Sequence, residues 1–170
     1  ETWLMRGEAF TVLFSLFARF APTGTRGGQG WVLRPPAVSL LTERPVSPSI
    51  AAFVLLILAT VTYDGFLETP VWAGILEWVA EDTTLRPLLV ALQEAGVNLH
   101  KLVKTTGLIV FPLAFALAFL FFCALMRAMG GSAEFGDIAG YFVLTLVPIA
   151  IAYHIAHYLS YFLLAGQLII

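Results

Sequence analysis

Long stretches of this chain carry apolar residues on every face of a helix, not along one stripe, which is the pattern of a helix surrounded by lipid or protein on all sides. Gly107 to Met126 is the clearest such run: it contains no charged residue, and about 20 apolar residues suffice to cross a hydrocarbon core about 30 Å thick. The pattern predicts a transmembrane helix over 98–128, with Pro112 tolerated inside it because bilayer helices accept proline where neighbours satisfy the freed carbonyl. Ser49 is the expected N-cap of a second spanning helix over 50–66, with Asp64 and Glu68 at its far end. A third long helix is expected over 137–170, kinked at Pro148 and joined to its predecessor by the tight connection Gly130-Gly131-Ser132. The first apolar segment, 8–21, is short and interrupted by Arg19, so it reads as the end of a spanning helix begun upstream or as an interfacial helix. Pro22 and Gly24 stop it, and a loop rich in Gly, Pro and Arg follows to Pro48.

Between Glu68 and Lys104 the pattern turns mixed. Residues 71–80 hold two tryptophans, Trp72 and Trp78, and a glutamate, Glu77. That mixture predicts an amphipathic helix at the membrane interface, where indole rings are favoured. A second interfacial helix is expected over 84–95, capped by Thr83 or Thr84 with Pro87 in its first turn. The fold class is therefore all-α: a polytopic transmembrane helix bundle with interfacial amphipathic helices. The chain opens on Glu1 and closes on the apolar Leu168-Ile169-Ile170, so it reads as a single transmembrane segment of a larger membrane domain. No internal repeat is visible.

Composition sharpens this picture. The 170 residues are 59% hydrophobic and 12% charged, with a mean hydropathy of +0.89, whereas soluble domains carry about 25% charged residues to wet their surface. The expected partners are the lipid bilayer and the rest of the same chain or partner subunits. A formal net charge of −2 removes any electrostatic case for nucleic acid. The single cysteine, Cys123, lies in an apolar run and reads as a core residue. Arg26, Arg34, Arg44 and Arg127 fall on one side of the bundle and Arg86, Lys101 and Lys104 on the other. The positive-inside rule leans towards the first side being cytoplasmic, and Arg6 joins the second side if the first segment spans.

Candidate chemistry comes from the ionisable residues at membrane depth, which are expensive there and normally face a partner or a cavity. His154 and His157 are three apart in the last helix, on one face about a turn from each other. Two imidazoles at that spacing can converge on one metal ion, as ligand pairs in helical bundles do. If the last helix enters the hydrocarbon near Tyr141, His154 lies about 20 Å along it at 1.5 Å per residue. The 50–66 helix runs in the parallel sense, and Asp64 falls about 21 Å along by the same arithmetic. The intervening helix is antiparallel and begins at Asn98-Leu99-His100-Lys101. His154, His157, Asp64, His100 and Glu68 thus form a candidate metal-ligating set in one leaflet. Imidazole with carboxylate suits a divalent transition metal such as zinc, iron, copper or manganese, and a water on such a metal is nucleophilic near neutrality. Alternatively the histidines hydrogen-bond across helices and hold the bundle together. Haem b is a further option, but axial ligands approach from opposite faces, so His154 and His157 cannot both bind one iron; one of them with His100, or with a histidine elsewhere, could. Tyr153, Tyr158 and Tyr161 read as interfacial anchors or packing residues.

Several phrases carry a family likeness: Arg6-Gly7-Glu8-Ala9-Phe10-Thr11-Val12-Leu13-Phe14, Phe17-Ala18-Arg19-Phe20-Ala21-Pro22, Leu33-Arg34-Pro35-Pro36, Thr62-Tyr63-Asp64-Gly65-Phe66 and, above all, Tyr153-His154-Ile155-Ala156-His157-Tyr158. Over most of its length the chain resembles bacterial integral membrane proteins known as fenitrothion hydrolases. The resemblance implies a multi-pass protein of the bacterial inner membrane, further helices upstream, and hydrolysis of an organophosphorus ester. It assigns no catalytic residue; the roles of Asp64, His154 and His157 rest on depth and chemistry. The leading expectation is a membrane-embedded metalloprotein with an intramembrane His/Asp site. The alternative is a haem- or quinone-associated, or purely structural, subunit of a respiratory or photosynthetic complex.

Overall fold

A computed structural model describes residues 8–25, 30–41, 44–130 and 133–168. In chain order it contains helix α1 (Ala9–Ala18), strands β1 (Thr23–Thr25) and β2 (Trp31–Leu33), a 3₁₀ turn (Val38–Leu40), α2 (Pro48–Leu67), α3 (Pro70–Glu81), α4 (Arg86–Glu94), α5 (Leu99–Gly130), α6 (Phe135–Phe142), a 3₁₀ segment (Val143–Leu146) and α7 (Val147–Gly166). Among the described residues the chain is all-α apart from one small hairpin, and three helical stretches are long and apolar enough to cross a membrane: Pro48–Leu67, Leu99–Gly130 and Phe135–Gly166.

The ends of these helices follow local chemistry, and some differ from the sequence reading. Helix α1 is capped by Glu8, whose carboxylate accepts the backbone N–H groups of Phe10 and Thr11. The Thr11 hydroxyl first, and then these backbone bonds, favour the ionised form and hold the carboxyl below its ordinary range. With 10 residues, α1 reaches only about 15 Å, half a bilayer. Residues 1–7, on which an upstream extension and the Arg6 placement depend, lie outside the described residues, as does Arg26.

The N-cap of α2 is Ser47, not Ser49, because Pro48 takes the first helical position. Its fixed φ and missing N–H suit that position. Likewise neither Thr83 nor Thr84 caps α4. The Asp82 carboxylate accepts the N–H groups of Thr84 at 2.8 Å and Leu85 at 2.9 Å, and those bonds pull its pKa down.

Helix α5 runs 32 residues through Pro112; at its start Asn98 Oδ1 accepts the Lys101 N–H at 3.0 Å, the bond of an N-cap. The last helix does not run evenly from 137. It begins at Phe135, tightens to 3₁₀ over Val143–Leu146 and resumes at Val147. Pro148 explains the break. It offers no N–H to the Leu144 carbonyl, and its ring crowds that turn, so the irregularity lies on the N-terminal side of the proline.

The loop expected from Pro22 to Pro48 contains the antiparallel β1–β2 pair, in register Thr23 to Leu33. Arg34 holds its base: Nε donates to the Ala21 carbonyl at 3.3 Å. The guanidinium lies over Gly24, where a Cβ would come within 3.2 Å of it.

Helix α2 is the centre of the bundle, with α5 and α7 on its flanks. The main core joins Leu16 of α1, Val54 and Leu55 of α2, Phe119 and Cys123 of α5, and Val143, Leu144 and Val147. Phe119 and Phe142 stack within it at 5.6 Å between centroids. Thr60 and Thr62, which would be unpaired in hydrocarbon, donate back to the carbonyls of Leu56 and Leu58. The outer faces are apolar and uncovered: Leu117 of α5 is 66% exposed, and Phe162 and Leu164 of α7 exceed 70%. Apolar faces of this kind are compatible with lipid contact.

Candidate functional site

Tertiary contacts fix the relative depth of the three long helices. Tyr63 Oη of α2 donates to the Lys104 carbonyl of α5 at 2.9 Å. Its ring lies so close to Gly107 that any Cβ there would collide with the hydroxyl. On the other flank of α2, the Tyr153 hydroxyl of α7 lies against Gly65, where a Cβ would sit 3.0 Å away. Tyr63, Gly65, Lys104 and Tyr153 therefore share one level, and Asp64 and His154, their immediate neighbours, share it too.

Level is not face. Tyr63 points towards α5 and Gly65 towards α7, so Asp64, between them at 100° per residue, projects away from both. It is exposed, as are Glu68 and His100, whereas His154 and His157 are half-buried. Among the described residues no three His, Cys, Asp or Glu side chains come together closely enough to hold a metal ion. The five candidate residues fall instead into three groups.

The first group is the histidine pair. His154 Nδ1 lies 2.8 Å from the Ala150 carbonyl, one turn back along α7. A carbonyl oxygen only accepts, so Nδ1 carries the proton, and in the neutral imidazole the lone pair is then on Nε2. Tyr158 touches both imidazoles, at 6.0 Å between centroids for His154 and 5.1 Å, edge to face, for His157. The tyrosine thus ties the two rings to one flank of the helix. Beyond the pair, Ser160 bonds back to the Ala156 carbonyl at 3.2 Å.

The second group is Glu68 with His100, which line one open cleft of about 450 Å³ together with Thr69, Trp72 and Lys104. Helix α3 closes the cleft through a four-ring cluster. Trp72 packs edge-on to Tyr63 at 6.0 Å and to Phe66 at 5.9 Å, and Phe111 contacts the same two rings. Trp72, expected as an interfacial anchor, is therefore buried at 7% exposure, while Trp78 remains 62% exposed and outward. Asp64 forms the third group alone.

Sequence reasoning did not reach Tyr63, Gly65, Gly107 or Tyr153, which set the level, nor Tyr158 as the residue linking the imidazoles. The small residues opposite tyrosines were the available signal, but which glycine meets which ring depends on helix packing. With this geometry in place, comparison with known proteins adds no name. No protein-family model, curated protein or solved structure matches the chain. Its site is read from its own residues.

Proposed function

We propose that α7 presents a two-histidine face for a divalent transition metal inside the membrane. The carrying observation is the bond from His154 Nδ1 to the Ala150 carbonyl. Metal-binding histidines almost always donate their second ring nitrogen to a carbonyl or carboxylate, which sets the tautomer and aims the free nitrogen. His157, one turn on and held against the same Tyr158 ring, supplies a second imidazole. Two donors are fewer than the three protein ligands of a catalytic zinc site, so the remaining ligands come from water or from outside the described residues. Asp64 sits at the right level for this role but on another face.

A metal in such a site supplies a water nucleophilic near neutral pH. The protein's own part is to hold two imidazoles one turn apart on α7 against the Tyr158 ring. An organophosphorus ester as substrate, and the bacterial inner membrane as location, rest on the family resemblance.

The test is metal analysis of the purified full-length protein beside His154→Ala and His157→Ala. Near-stoichiometric zinc, iron or copper is expected, with affinity reduced more than about tenfold in each variant, at least the cost of losing an outer-shell partner. Unchanged metal content in the double variant would sink the proposal. A Soret band in the optical spectrum would replace it with haem.

A further inference from the structure

The open cleft where α2 ends and α3 and α5 begin brings three ionisable side chains together: Glu68, His100 and Lys104 all line it. His100 and Lys104 are four residues apart on α5 and so share one face of that helix. Glu68, the C-cap of α2, comes to the cleft from the other side of the chain's turn into α3. None of the three side chains makes a hydrogen bond or an ion pair among the described residues. Carboxylate and ammonium thus line one cleft without neutralising each other.

The backbones that carry these groups are pinned. The Tyr63 hydroxyl donates to the Lys104 carbonyl at 2.9 Å. Beside Glu68, the Thr69 hydroxyl donates to the Phe66 carbonyl at 2.7 Å and accepts the Trp72 N–H at 3.4 Å. Trp72, packed against Tyr63 and Phe66, holds α3 in place. The rest of the lining includes the apolar Leu67, Ala73 and Leu76. A site held in this way loses little freedom when a ligand enters.

The charge pattern selects the class of ligand. A metal ion drawn to Glu68 and His100 meets the Lys104 ammonium, and a simple anion drawn to Lys104 meets the Glu68 carboxylate. A neutral apolar molecule would strip water from all three groups and return nothing. Only a molecule that carries both signs satisfies the whole set.

We propose that this cleft binds a zwitterion with an apolar substituent. Its ammonium sits on Glu68, its acid anion on Lys104 and His100, and its apolar part against Leu67, Ala73 and Leu76. A free apolar α-amino acid carries this chemistry, and so does the ethanolamine phosphate head of a phospholipid. Neither His154 nor His157 takes part, so the cleft is independent of the metal reading of α7.

Calorimetric titration of the full-length protein in a non-ionic detergent tests this. The probes are L-leucine, isocaproate (leucine without its ammonium), isoamylamine (leucine without its carboxylate) and dihexanoylphosphatidylethanolamine below its micelle concentration. At least one zwitterion should saturate, and the single-charge analogues should bind at least about tenfold more weakly, the effect of losing one charge-assisted hydrogen bond. Glu68→Gln should weaken the zwitterion about tenfold and strengthen isocaproate. Lys104→Gln should weaken the zwitterion similarly and strengthen isoamylamine. Both substitutions leave the fold intact, since neither side chain is bonded and the Lys104 carbonyl keeps its partner. Saturation by leucine with this crossed pattern assigns a free amino acid; saturation by the short phospholipid alone assigns a lipid head. Failure of both zwitterions to saturate, analogues that bind as tightly, or variants that shift every probe in the same direction would each overturn the assignment.

Discussion

At the scale of single residues, the contact between Tyr63 and Gly107 is the most sensitive point in the bundle. A methyl group at position 107 would lie inside the tyrosine hydroxyl's radius, so the ring must move and its bond to the Lys104 carbonyl must break. Gly107→Ala is expected to destabilise the protein by about 1–3 kcal/mol, the usual cost of overpacking, read as loss of thermal stability in detergent. Tyr63→Phe alone should cost about 1 kcal/mol for the lost hydrogen bond. The double variant should cost less than the sum, because removing the hydroxyl removes part of the clash; strict additivity would mean that the two residues do not meet. Tyr158 makes a different prediction. Tyr158→Ala frees both imidazoles from their shared ring. It should weaken metal binding about tenfold or more, as outer-shell losses do, with no change in the amount of folded protein recovered.

At the scale of elements, helix ends and breaks are decided by a few polar or cyclic residues. Asp82, like Glu8, is a pH-sensitive cap outside the spans. Its carboxylate is held below its ordinary value of 3.8 by the N–H groups of Leu85 and Thr84. A depressed folded pKa means that the stabilisation is complete above 3.8 and is lost as pH falls through the folded value. Hydrogen exchange at the amides of Thr84 and Leu85 should therefore accelerate only below that range. Asp82→Asn should keep an acceptor and abolish the pH dependence. Pro148 governs the other break. With Pro148→Ala, the Leu144 carbonyl, which now accepts the Val147 N–H in a 3₁₀ bond, can instead take the new N–H at 148 in an α-helical bond, and the four residues Val143–Leu146 can relax from a rise of about 2.0 Å to about 1.5 Å each. Spin labels on either side, at Ile138 and Tyr158, should then approach by about 2 Å; an unchanged separation would mean that packing against α2, and not the proline, sets the 3₁₀ geometry.

At the scale of the whole molecule, three helices among the described residues are long and apolar enough to cross a membrane and leave large apolar faces uncovered. Leu117 is 66% exposed in the middle of α5, so Leu117→Arg puts a charge on one of those faces. That change costs about 2.5–3.5 kcal/mol at a helix centre and should be read as lost membrane insertion, whereas the same substitution at the exposed Gln93 outside the spans should be silent. The cations also divide by side: Arg34, Arg44 and Arg127 lie at the end where α2 begins and α5 stops, and Lys101 and Lys104 at the other.

The division between sequence and structure follows from what each kind of information constrains. Apolar periodicity is local, so it determined the spanning helices at Gly107 to Met126 and around Ile50 to Phe66, the proline-associated break near position 148, and the shared depth of Asp64 and His154, which is only a count of residues along parallel helices. Which way a side chain turns depends on the packing of neighbours far along the chain. Only tertiary structure decided that Tyr63 and Gly65 claim the two packed flanks of α2 and turn Asp64 outward, that Trp72 is buried in a ring cluster, and that Glu68 and His100 share a cleft apart from His154. The reason is geometric: a helix has one rise but many faces, and close approach at Gly65 and Gly107 selects among them.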